Sequence, residues 1–188
     1  MEIEEIIKFG SVIILSLLVL YIVFLQPTQP KVEKVDAENF VLQDLNSKYS
    51  NADKISIVET REKKNYYEIV ARVTFDYYTK CPRRIHLYYL YPKQGFEPQP
   101  PEHITKNCEV HDLPIAFEEE AIIKSWRENP IVEGFIDSFG AEPAVSRIQG
   151  GWEVTWLGNA PYYYKVIVNE TGETEVFTIQ FNQTENSV

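Results

Sequence analysis

At 188 residues, with 44% hydrophobic and 13% aromatic content, the chain is long enough to bury a core of its own, and its net charge of −10 makes its surface acidic. Such a surface is repelled by phosphate backbones and anionic headgroups, which argues against nucleic acid as a partner. No Gly-rich phosphate loop, H-E-x-x-H or G-x-S-x-G motif occurs, and no nucleophile, histidine and acid fall into an array, so the chain reads as non-catalytic and without a cofactor.

Residues 9–25 (FGSVIILSLLVLYIVFL) form the one long uncharged apolar run. At ~1.5 Å per residue they reach about 25 Å as a helix, which predicts a transmembrane anchor over 1–26. The acidic start (MEIEEIIK) and Pro27 lack the basic n-region and small-residue cleavage site of a secretory signal, so the anchor reads as uncleaved. Residues 27–35 then form a linker stiffened by Pro27 and Pro30. Two cysteines and two N-x-[ST] sequons (Asn169 and Asn182) all follow the apolar run. They predict a single-pass membrane protein whose soluble domain lies outside the cytoplasm, with Asn169 and Asn182 as glycosylation acceptors.

Beyond the linker the pattern runs twice through helix and strands. In the first half, 36–115, Phe40, Val41, Leu45 and Tyr49 share a helical face over 36–49, with Asp36 as N-cap. Strands are predicted at 54–60, 66–78 and 84–91, with a turn at 63–65. In the second half, 116–181, a helix over 117–126 is broken at Asn129-Pro130, and a further turn or two over 131–139 stops at Gly140. Strands follow at 143–149, 152–157, 162–169 and 174–180, with Gly150-Gly151 as a hairpin signal; 182–188 is a tail. The fold class expected is α+β: an N-terminal transmembrane helix followed by two helix-plus-antiparallel-meander units, with either one sheet per unit or a single continuous sheet.

The run Trp152-Glu153-Val154-Thr155-Trp156, followed by Tyr164-Lys165-Val166-Ile167-Val168-Asn169-Glu170-Thr171-Gly172-Glu173, resembles the PepSY family of extracytoplasmic domains across residues 118–177, and more loosely the cystatin-like fold. Asn169 stands where that family usually has Asp, and one residue rather than two separates it from Thr171. The resemblance implies a secreted or membrane-bound accessory protein, inhibitory or chaperone-like, and carries over no catalytic residue.

Cys81 and Cys108 enclose a Pro-rich segment, and the expected pairing is a disulfide closing it. The alternative is a small-ligand or metal site at this loop, with Cys81, His103, Cys108 and His111 as a Cys₂His₂ set. Arg83 and Arg84 are either a solvated pair or an anion contact. Trp152 and Trp156 share a strand face and either pack in the core or form an exposed binding surface. Glu118, Glu119 and Glu120 read as first-turn acids favoured by the helix dipole. The function expected is binding of a protein partner at the membrane surface, with residues 9–25 contacting the membrane, as an accessory subunit, chaperone or inhibitor of an envelope complex.

Overall fold

The alternation of apolar and polar residues along eight short segments drives the architecture, because each strand offers one face to a helix and the other outward. A computed structural model describes residues 14–16, 32–92, 100–110 and 113–181. Helix α1 (Lys34–Lys48) precedes β1 (Lys54–Glu62), β2 (Tyr67–Phe75), β3 (Arg83–Tyr91) and β4 (Glu102–Thr105). Then come α2 (Glu118–Arg127), α3 (Pro130–Phe139), β5 (Glu142–Ile148), β6 (Gly151–Leu157), β7 (Tyr162–Asn169) and β8 (Thr174–Gln180). The strands form two four-stranded antiparallel meanders, β1-β2-β3-β4 (sheet 1) and β5-β6-β7-β8 (sheet 2).

Ala37, Val41 and Leu45 of α1 bury against sheet 1, where Ile69, Ala71 and Val73 of β2 and Ile85, Leu87 and Tyr89 of β3 supply the inward positions. The Tyr89 hydroxyl donates to Asp44 at 3.0 Å, and Phe40 meets Tyr91 with ring centroids 4.6 Å apart. In sheet 2, Trp152, Val154, Trp156, Tyr164, Val166 and Val168 pack beneath Ile122, Trp126, Val132, Phe135 and Ile136. Pro130 occupies the first turn of α3, where its missing N–H costs nothing, and Gly140 ends that helix at φ 58°, a left-handed value natural to glycine. At Gly151 a Cβ would lie 2.2 Å from the carbonyl oxygen of Val168, so only glycine admits the close β6–β7 approach.

The expected fold class is corrected at its N-terminal transmembrane helix. Among the described residues no helix is long and apolar enough to cross a membrane. Helices α1, α2 and α3 have 15, 10 and 10 residues, short of the ~20 residues a bilayer needs. Of the apolar run 9–25, only Ile14, Leu15 and Ser16 fall within the described residues, as helix; the rest of it, with 27–31 of the linker, lies outside them. The expected single-pass membrane location rested on that anchor, and among the described residues no such helix is found. The two sheets differ in their cover, sheet 1 carrying one helix and sheet 2 two, and Tyr77 and Ile115, from the first half, sit in the core of the second. Residues from Lys34 onward form one unit, separate from Met1–Glu33.

Local differences have simple causes. Strand β4 was not expected, because its four residues are too few to show a period. Asp36, expected as an N-cap, lies inside α1, whose first turn takes in the last linker residues Lys34 and Val35. The tail 182–188 lies outside the described residues.

Candidate functional site

A disulfide joins Cys81 and Cys108, with Cα atoms 4.9 Å apart, and ties the entry of β3 to the turn after β4. Both thiolates are consumed by the bond, which removes the Cys₂His₂ alternative. His103 is exposed on β4, His111 lies outside the described residues, and among the described residues no group of three or more metal-ligating side chains occurs. Beside Cys108 a cavity of ≈ 430 Å³ is lined by Glu109, Val110, Ile123, Lys124, Arg127 and Glu128. Its cations are engaged: Lys124 pairs with Glu128 at 2.5 Å, and Arg127 donates to the Cys108 carbonyl.

The face of sheet 1 opposite α1 carries Arg72, Thr74, Arg84 and His86, and the N-terminus of α2 closes on it. Arg84 is 1% exposed and Glu119 0%. The Arg84 guanidinium reaches Glu120 at 2.5 Å and Glu119 at 3.4 Å, while Arg72 reaches Glu118 and Glu119 at 3.5 Å. Lys54 and the Tyr77 hydroxyl each contact Glu118 at 2.5 Å, and Thr74 donates to Glu119. Glu120 also accepts the backbone N–H groups of Ala116 and Phe117 at 2.9 and 3.0 Å, capping α2. The Phe117 ring lies 4.1 Å from the Arg84 guanidinium carbon. Three carboxylates thus meet three cations, with Arg84, Glu119 and Glu120 buried and Lys54 and Glu118 at the partly exposed rim.

Burial, with the neighbouring Arg84 charge next, pushes the His86 imidazole from 6.5 down to about 4, so it is neutral at pH 7. Burial and the bond to Glu118 hold the Tyr77 phenol well above its usual range. Burial alone would raise Glu118, but the hydrogen bonds from Lys54 and Tyr77 and the charges of Lys54 and Arg72 outweigh it and lower its pKa. This junction escaped the sequence reading, which assigned the three glutamates to the helix dipole. The signal was present: Arg72 and Arg84 fall on one face of adjacent strands, a basic stripe that demands acids from elsewhere.

Of the alternatives open for Trp152 and Trp156, burial selects the core, and it places Arg84 in the interior too. Trp156 is 0% exposed and its indole N–H donates to Ser125 at 2.9 Å; Trp152, also buried, donates to the Ile115 carbonyl at 3.2 Å. Arg84 belongs to the junction. Arg83 is exposed, paired with Asp76 at 2.7 Å and set over Phe75. Asn169 closes the β7–β8 turn: its side-chain carbonyl accepts from Glu173 N and Thr171, and its amide donates to Glu173 at 2.7 Å. Asn182 lies outside the described residues.

What remains open to a partner is the outer face of sheet 2. Leu157, Phe177 and Phe181 stand 44%, 39% and 50% exposed there, beside half-buried Tyr163, Ile167 and Ile179. Register places Leu157, Tyr163, Lys165, Ile167, Phe177 and Ile179 on this one face, since their partners across the ladder alternate with the core positions. The Tyr163 and Phe181 rings meet at a tilt with centroids 5.2 Å apart, and Lys165 pairs with Glu153 at 3.0 Å. Strand β8 is the edge of this sheet and pairs only with β7 among the described residues. Glu173 accepts from Asn169 N and Phe181 N donates to Pro161, both toward β7. Odd-numbered residues of β8 therefore point their backbone groups inward, and Thr174, Val176, Thr178 and Gln180 point theirs at the open edge. Sequence reasoning placed the strand and missed its role, because an edge is a property of sheet order. Set against family models, curated proteins and solved structures, the chain matches none of them.

Proposed function

We propose that this chain is a non-catalytic protein-binding module that takes up a partner's β-strand along β8 and covers the outer face of sheet 2 with that partner. One observation carries it: Leu157, Phe177 and Phe181 are exposed together beside an edge strand whose outer backbone groups pair with nothing among the described residues. Strand addition satisfies those groups through main-chain hydrogen bonds, while the apolar side chains supply the pockets that select the partner. The buried junction supports this by exclusion, since its charges already satisfy one another. The resemblance of residues 118–177 to PepSY domains points the same way.

The test is capture on the immobilised full chain and on two variants, Phe177→Lys and Arg83→Ala. A protein retained by the wild-type chain and by Arg83→Ala, but released by Phe177→Lys, is the expected result. Identical retention by all three overturns the reading.

A second reading places a small ligand in the cavity beside Cys108, favoured by its ≈ 430 Å³ volume. It requires a ligand that raises the melting temperature of the wild-type chain and not that of Lys124→Ala.

A further inference from the structure

Resting on the strand-receiving reading above, we propose that the strand β8 takes up is the β8 of a second copy of this chain, joining two molecules into one eight-stranded antiparallel sheet about a two-fold axis at Phe177.

The four sheet edges differ in how they are protected. Strand β1 carries Lys54, Glu59, Arg61 and Glu62, with a register shift between Ile57 and Glu59. Strand β4 has four residues, and β5 contains Pro143 with charged Glu142 and Arg147. Charge, bulge, brevity and proline are the devices by which edges resist pairing. The remaining edge, β8 (TEVFTIQ), spans 7 residues with one charge, no proline and no register shift against β7.

Self-pairing also fits this strand in detail. An antiparallel copy centred on Phe177 overlaps the whole of β8, setting Thr174 against Gln180 and Val176 against Thr178. Those are the residues whose backbone groups face the open edge, so every outward N–H and C=O finds a partner, in about eight bonds. Phe177 falls opposite its own copy at a non-hydrogen-bonded position, where side chains approach most closely. Glu175 falls opposite Ile179, so no like charges meet although each chain carries −10. Thr178 and Gln180 are exposed on the inner side, leaving room for the incoming strand. The apolar outer faces then become one surface running through both copies of Phe177.

The test uses the full chain with cysteine as a ruler, since both native cysteines are held in the disulfide. In the proposed register the Cα atoms at position 177 lie about 4.5 Å apart, within disulfide range, and those at 175 about 14 Å apart. Under mild oxidation Phe177→Cys is expected to give a reducible covalent dimer at least ~10-fold faster than Glu175→Cys. Sedimentation of the wild-type chain should show mass rising from one chain toward two with concentration, and Phe177→Lys should stay at one. Equal crosslinking rates, or a wild-type chain that is monomeric throughout, overturn the inference. Hydrogen exchange then separates the two readings. If Val176 and Thr178 amides become protected only in the presence of a captured protein, the second copy is wrong and the strand-receiving reading stands. If they are protected under neither condition, both fall.

Discussion

Sheets 1 and 2 are both four-stranded meanders with a helix on one face, yet their second faces are finished in opposite ways. The free face of sheet 1 carries Arg72 and Arg84, and the chain itself covers it with Glu118, Glu119 and Glu120. The free face of sheet 2 carries Leu157, Phe177 and Phe181 and is left uncovered by the described residues. Leaving a buried charge unpaired costs several kcal/mol, so the junction had to be completed within the molecule. An exposed apolar residue costs far less, and its burial remains available to an intermolecular contact.

The strongest way to break the contrast is to open the junction. Arg84→Ala leaves Glu119 and Glu120 buried beside a cavity and should destabilise by about 3–5 kcal/mol, read from denaturant midpoints. Arg83→Ala, one residue away in an exposed pair, should change stability by less than ~1 kcal/mol. If the two variants are equally mild, the junction does not hold the two sheets together.

Next in size is the bridge. Cys81 and Cys108 lie 27 residues apart, and replacing both with Ser should cost about 3–4 kcal/mol by restoring loop entropy to the unfolded chain. The effect should fall on the first sheet, whose β3 and β4 the bridge joins. Loss of amide protection confined to β5–β8 would contradict that assignment.

The smallest effect is titration of the junction. His86 has a folded pKa of about 4 against 6.5 unfolded, so between those values the unfolded state binds more protons and the folded state weakens as pH falls. Stability should be complete above pH 6.5 and drop by about 1–3 kcal/mol toward pH 4. Replacing the imidazole with Phe should flatten that stretch of the urea-midpoint profile. A slope unchanged in His86→Phe would assign it elsewhere. Glu118, whose pKa is lowered, adds its own loss only as pH falls below the ordinary carboxylate range.

By itself the sequence determined the elements of residues 34–181 other than β4. Period-two alternation marked β1–β3 and β5–β8; Pro130 and Gly140 punctuated α3, and the spacing of the cysteines foretold the bridge. Such signals are local, set by steric and hydrophobic preferences within a few residues. Only the tertiary structure decided where those elements end up relative to one another. Whether Arg84 is solvated or buried depends on Glu119 and Glu120, 35 and 36 residues away. Whether Trp156 packs inward depends on Ser125 of helix α2, and whether β8 is an edge depends on the order of the whole sheet. The uncovered face around Phe177 and the sealed junction around Arg84 are thus products of assembly, because burial and charge compensation are pairwise properties that no single segment carries.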